Sequence, residues 1–563
     1  MSKVWRGMGF GTLAIVLTAA LGLVWEHHRG RQQLEETVAR LKASGAYPDP
    51  AVLFAPPGPS NGFRSFERAV SGLSFCPGPD SMMGIAPGRA APCFIKSQWL
   101  SADGRTNTWD SLAAWRQDFA ADFDSLHSAL AQPDCRMPID WRPGYNIPLP
   151  PLILYKQGAQ ALAATALLAA RNGDKAEALQ QLKDLQRLVA ALASERRLDS
   201  QVTRMASASI GLHAAWDIAQ REDWTEADLA ALQASLPSAD ICPSFVESIR
   251  GENALWVITM LDPNFSPTFP FGDLSGWLQR PLQPVTGPED LVNLVHDLLQ
   301  RTRFRLQMAL FDPLFRFGWR DQACAVYLEV MNQLERRCRS ACVSHNLKSF
   351  SSSGVFPDRT LGWYDGLRFN LSIMAVQSSC LGFSKVFALE AERTLTETQI
   401  ALRRYTLLHG EAPVRLEQLV PEFLPTIPLD SMVGEPLRFR RNPDGSTTLW
   451  SVGEDFEDDG GAAGVPEPPI GFIRTWEGLD MVVPNAVGQL EFHARIAEVQ
   501  DRWEMEHVVD APQARRYWPL TTESAATNTA FTIGGASEMD PALVRRYGLI
   551  PKDPAATNGP APK

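Results

Sequence analysis

The sequence contains no Cys-x-x-Cys pair, no GKS or GKT phosphate loop, no His-Glu-x-x-His and no Ser-x-x-Lys. Those absences leave no motif for a thioredoxin-like or haem-attachment site, a P-loop nucleotide site, a zincin or a Ser-x-x-Lys acyl enzyme. Positive charge is not in surplus either. Lys and Arg number 53 against 64 Asp and Glu, a formal charge of −11. Nucleic acid is therefore not an expected partner, because counterion release needs a basic surface. Glycine (40) and proline (42) are too few among 563 residues to make the whole chain low-complexity. What is present, with 45% hydrophobic residues, is a folded chain long enough for about three domains.

One long apolar run exists, Gly7–Trp25, which is 19 residues without a charge. As a helix it reaches about 28 Å, close to the hydrocarbon thickness of a bilayer. Two readings stand. It is a signal peptide cleaved near Ala20-Leu21-Gly22, or a retained anchor ending in an interfacial Trp25. The anchor is favoured because the run exceeds a usual signal-peptide core. Lys3 and Arg6 precede it and Arg29 and Arg31 follow, so charge alone does not orient it. The short head favours a cytoplasmic N-terminus, with the rest of the chain exported to the periplasmic side.

The eight cysteines are Cys76, Cys93, Cys135, Cys242, Cys324, Cys338, Cys342 and Cys380. An exported domain permits disulfides. Cys76 and Cys93 sit in mirrored settings, Phe75-Cys76-Pro77 and Pro92-Cys93-Phe94, and are the expected pair. Cys338 and Cys342, four apart on an expected helix, read as buried thiols.

The chain divides by texture. Residues 1–30 form the membrane anchor. Residues 31–105 hold a short charged helix (Arg31–Ser44) and then an irregular Pro/Gly-rich stretch that wraps on the next domain. Residues 106–365 read as a helical domain. Within it, Ala178, Leu182, Leu185, Val189 and Leu192 make one apolar stripe. Leu152–Arg171 stops at Asn172-Gly173, and Asp174 caps the next helix, giving a tetratricopeptide-like hairpin without a recurring 34-residue period. Further helices are expected at 200–220, 225–235, 243–261, 289–309 and 321–344. Residues 366–484 form a long helix and a small α+β module whose strands, Leu437–Arg441 and Thr447–Val452, flank Asn442-Pro443-Asp444-Gly445. A C-terminal helix covers 485–520, and 521–563 is expected to be disordered. The fold class is mainly α.

The last folded stretch resembles the C-terminal module of type II secretion pseudopilins, shared by many anchored bacterial envelope proteins. The residues that carry it are Ala401-Leu-Arg-Arg-Tyr405, Leu416-Glu-Gln-Leu-Val420 and Pro425-Thr-Ile-Pro428-Leu-Asp430. They continue as Gly434-Glu-Pro-Leu-Arg438, Ser451-Val-Gly453, Asp458-Asp-Gly-Gly461 and Asp480-Met-Val-Val-Pro484. The resemblance implies a long helix feeding a small sheet, and an acidic loop able to hold calcium. Ala170–Asn253 is similar to the helical body of an uncharacterised group of such anchored proteins. The pilin cleavage signature is missing: Gly9 is followed by Phe10-Gly-Thr-Leu-Ala, with no acidic residue before Glu26. Filament assembly is accordingly not expected.

Glu454-Asp455-Phe456-Glu457-Asp458-Asp459-Gly460-Gly461 places five carboxylates within six residues. Hard cations such as calcium take six to eight oxygens, and glycines let backbone carbonyls join them. Asp455, Glu457 and Asp459 are the expected metal ligands; the bland alternative is a solvated acidic turn. Gly58-Pro59-Ser60-Asn61-Gly62 has the spacing of a nucleophile elbow, but Pro56, Pro57 and Pro59 exclude the strand that an elbow requires. His213, beside Trp216 on an apolar face, reads as a hydrogen-bonded core residue. No catalytic residue is assigned. The expectation is a non-enzymatic, membrane-anchored scaffold that meets other envelope proteins. The alternative is an anchored hydrolase whose residues come from separate helices.

Overall fold

A computed structural model describes residues 2–54, 56–73, 93–95, 98–100, 106–147, 152–237, 241–262, 314–350, 365, 368–462 and 480–483. The side chains of 2–16, 19, 95, 100, 106, 146, 370, 371 and 373–381 also lie outside the description. So do the helices expected at 289–309 and 485–520, the break at 263–288 and the tail.

The mainly α class holds. Helix α1 (Ser2–Ala43) runs unbroken through the apolar segment and the charged segment after it, so the two are one element of 42 residues. The short α2 (Pro50–Leu53) and α3 (Phe63–Gly72) follow. Helix α3 falls within the stretch expected to be irregular. Phe63, Phe66, Ala69 and Val70 give it an apolar face, and that face is buried. Helix α3 packs on the helices formed by 120–130 and 152–171. Strands β1 (Gln98–Leu100) and β2 (Thr106–Thr108) pair antiparallel and lead into α4 (Trp109–Asp118) and α5 (Ala120–Leu130).

The central hairpin is α6 (Leu152–Arg171) and α7 (Lys175–Ala191). Gly173 turns the chain at φ +82°, and Asp174 accepts the Glu177 N–H as N-cap, as its position predicts. Helix α6 is almost all alanine and leucine on its inner faces, which lets α7 and α8 (Leu198–Ala219) pack closely on two of its sides. Next come α9 (Glu226–Ala234), opened by a Thr225–Asp228 capping box, and α10 (Ile241–Leu261). A π-turn (Phe315–Trp319) leads into α11 (Arg320–Ser344). Helices α10 and α11 lie antiparallel: Glu247 meets Arg339, and Trp256 meets Tyr327.

Helix α12 (Asn370–His409) is a single 40-residue rod, stopped by Gly410 in the left-handed region, that contacts α8, α9, α10 and α11. Two short strands, β3 (Leu429–Asp430) and β4 (Glu435–Pro436), pair antiparallel. The three-stranded sheet β5 (Arg438–Arg441), β6 (Thr447–Ser451) and β7 (Met481–Val483) is antiparallel in the order β5-β6-β7. Its hairpin turns at Asn442–Ser446, as the Pro-Asp-Gly sequence predicts. Leu449 and Met481 are fully buried and join the helical core. The sheet and the helices therefore share one apolar interior.

Candidate functional site

The acidic turn leaves β6 through a chain of backbone positions that require left-handed geometry. Gly453, Gly460 and Gly461 lie at φ +73°, +70° and +79°, and Phe456 at +64°. The carboxylates are divided among separate tasks. Asp455 accepts the Glu457 N–H in a local turn (3.1 Å), and Glu457 and Asp459 face solvent. Asp458 accepts the Trp450 indole N–H (2.9 Å) and the Gly460 N–H (3.0 Å) and lies 3.4 Å from Arg438 Nε. Those donors hold the Asp458 carboxyl below its usual range, the Trp450 indole foremost. Among the described residues no three His, Cys, Asp or Glu side chains converge to hold a metal ion.

Two aspartates organise this module, and neither is among the expected metal ligands. Asp430 is fully buried. It accepts from Met432 N, Ser451 Oγ and Val452 N at 2.7–3.0 Å, tying the β3–β4 turn to the end of β6. Burial raises its pKa against the pull of those donors. Asp480 stands just before β7, and its Oδ2 accepts the Gly461 N–H at 2.8 Å, so it clamps the acidic turn from below. Its other oxygen, Oδ1, is buried without a hydrogen-bond partner. Burial, reinforced by the charges of Asp458 and Asp459, raises the Asp480 pKa. For Asp430 the available signal was the Met432 N–H two residues on, the mark of an Asx turn; Asp480 bonds an amide 19 residues earlier and carried no local signal.

Cys242 and Cys342 form a disulfide that joins the start of α10 to the end of α11, with Cα atoms 5.8 Å apart. The reading of Cys342 as a buried thiol is corrected, while Cys338, one turn earlier, is buried. The cross-link is nonlocal, closing 100 residues of sequence, which is why spacing alone did not reveal it. Of the expected pair, Cys93 is buried at the start of a short 3-10 turn, and Cys76 lies outside the described residues.

The buried acid–base groups are cross-links between helices. His127 Nδ1 lies 2.6 Å from Asp184, which also takes Arg187 (2.7 Å) and Gln180 (2.9 Å). Together these bind α5 to α7. His213 is largely enclosed, but the hydrogen bond expected of it is not made at Nε2, which lies 3.0 Å from Glu392 Oε1 off the line of a hydrogen bond. Glu392 also accepts from Ser209 at 3.2 Å, so the carboxylate sits between serine and histidine. A hydrolytic triad needs the histidine in that middle place. Glu252 accepts the Leu198 N–H at the N-terminus of α8 (2.8 Å) and the Tyr145 hydroxyl. It supplies to that helix start the acceptor that Arg197 at the N-cap does not.

The lower half of α1 is fastened to α11. Gly30, Leu34, Thr37 and Leu41 are buried in one stripe. A Cβ on Gly30 would sit 2.8 Å from Gln322 Cγ, so only glycine permits that approach. Gln322 donates to the Glu26 carbonyl (3.0 Å), and Arg40 pairs with Glu329. Above this contact the described residues 17, 18 and 20–22 are all exposed. Among the described residues no helix is long and apolar enough to cross a membrane; most side chains of the Gly7–Trp25 run are outside the description.

No protein-family model, curated protein or solved structure matches this chain.

Proposed function

We propose that the protein is a single-pass, membrane-anchored envelope protein whose folded domain lies outside the cytoplasm and acts as a non-enzymatic scaffold for other envelope proteins. The observation that carries this reading is the division of α1. Its lower half is locked to the domain by buried Gly30, Leu34 and Leu41, while Leu17, Leu21, Val24 and Trp25 stand 48–70% exposed where the apolar run ends. Four large apolar side chains bare on one rod call for an apolar surrounding. The Cys242–Cys342 disulfide supports an oxidising compartment. The 40-residue α12 followed by an antiparallel sheet and an acidic turn supports the pseudopilin-like resemblance of the last module.

We further propose a structural calcium ion at the acidic turn. The buried Asp480 Oδ1, without a hydrogen-bond partner, supports it, on a carboxyl whose pKa burial and then the Asp458 and Asp459 charges raise. Asp480 would hold the ion from the buried side, and Asp455, Glu457 and Asp459 from the turn. There the ion would offset like-charge repulsion. The described buried pairs are occupied as helix cross-links, so no specific observation favours the hydrolase alternative.

The test of the anchor is an alkaline carbonate wash of membranes containing the full chain. Retention of the uncleaved protein in the pellet is the expected result. Release as a soluble form that has lost the segment before Leu23 would overturn it.

A further inference from the structure

The π-turn Phe315–Trp319 sits beside α1 at the level where the apolar run ends. Gly318 faces Leu23, with a Cβ position 3.1 Å from its Cδ2, and the Phe317 ring stacks on His27 at 5.0 Å. His27 Nδ1 also lies 2.8 Å from the Phe317 carbonyl oxygen, fixing the turn against the helix. The turn buries Phe315 and Trp319 inward and holds Phe317 50% exposed.

Position along the rod decides what Phe317 meets. Leu23 to His27 covers about 6 Å at 1.5 Å per residue. The interfacial layer on each side of the hydrocarbon is roughly 5–8 Å deep. If the apolar run fills the hydrocarbon up to Trp25, a ring stacked on His27 stands inside that layer. Trp25 is 60% exposed at the same height, with the Arg29 guanidinium over its ring at 5.3 Å. A Trp ring under one guanidinium, as Trp25 lies under Arg29, is side-chain chemistry that suits a headgroup boundary.

We infer that the π-turn is a second membrane-contact element, placing Phe317 in the headgroup–acyl boundary of the leaflet that α1 leaves. This rests on the anchor reading above and extends it: two contacts at one level would fix the tilt of the domain on the bilayer, where a lone helix would leave it free to swing. The occupant is the phospholipid interface, argued from continuity with the apolar surface of α1.

The experiment places the photocrosslinker p-benzoylphenylalanine at one position at a time: 17, 317 or 343. The full chain is reconstituted in phosphatidylethanolamine–phosphatidylglycerol vesicles. Val343, 79% exposed at the far end of α11, is the aqueous control. After illumination, intact mass reads whether a phospholipid has been added. The expected result is a phospholipid adduct at 17 and at 317 and none at 343. An adduct at 17 without one at 317 overturns the inference and leaves the anchor standing. A protein–protein adduct at 317 assigns the ring to another chain segment or a second copy and also overturns it. Adducts at neither 17 nor 317 defeat the anchor and this inference together. Probe at 317 replaces a half-exposed ring by a larger one, and an intact Cys242–Cys342 disulfide in each variant confirms that the domain has folded.

Discussion

Glu252 is enclosed between α10 and α8, and replacing it with Gln gives a decisive perturbation of the domain. Burial pushes its pKa from 4.5 to about 7, against the pull of the Leu198 N–H. A carboxyl raised in the folded state binds more protons folded than unfolded. Its contribution to stability is therefore complete below about 4.5 and is lost as pH rises through 7. At 1.36 kcal/mol per pKa unit the loss is about 3 kcal/mol. Glu195, also raised to about 7 by burial, acts with the same sign, and so does His345, raised by the Glu390 carboxylate 3.9 Å away. The carboxyls of Asp134, Asp184, Asp223 and Asp228 are lowered and titrate below this window. The full chain in detergent should therefore resist urea better at pH 5 than at pH 8. Glu252→Gln keeps an oxygen for the Leu198 N–H but cannot ionise. It should be more stable than the parent at pH 8, and the pH 5-to-8 difference should shrink by about 3 kcal/mol. An unchanged pH difference in Glu252→Gln, or a variant weaker than the parent at pH 8, would refute the reasoning.

Three further outcomes follow from the same packing. Replacing Cys242 and Cys342 together by Ser opens a 100-residue loop. Loop entropy sets the loss at up to about 5 kcal/mol, read as a lower urea midpoint that reductant reproduces in the parent. Gly251→Ala puts a methyl group onto the Arg196 carbonyl oxygen, which is backbone and cannot step aside. A loss of roughly 1–3 kcal/mol in urea melts is expected, and full parental stability would show that α10 and the residue 196 turn are not in that contact. With millimolar calcium the full chain should melt higher than with chelator, by an amount corresponding to about 2.7 kcal/mol at a hundred-fold excess over Kd. Asp455→Ala with Asp459→Ala should remove that difference, and equal melting of the parent in both buffers would make the acidic turn a solvated loop.

Local features were legible in the sequence because their causes are local. The Asn172-Gly173-Asp174 stop and cap set the α6–α7 hairpin, and the Pro-Asp-Gly turn set β5–β6. What escaped the reading was nonlocal. Cys242 and Cys342 are brought together only by the antiparallel packing of α10 on α11. Asp430 and Asp480 acquire partners across the sheet, and Glu252 acts on a helix that begins 54 residues earlier in the chain. Helix α3 was hidden because its ten residues fall in a Pro/Gly-rich stretch whose composition outweighed a short apolar face.

The central claim is that α1 carries a folded domain to the far side of a membrane. It is tested most directly by fusing to residue 563 an alkaline phosphatase that becomes active only after export, and by comparing it with a fluorescent protein that matures only in the cytoplasm. The account predicts a phosphatase-active, non-fluorescent pair of fusions, both in the membrane fraction. Fluorescent, phosphatase-inactive fusions would place the domain on the cytoplasmic side and contradict it.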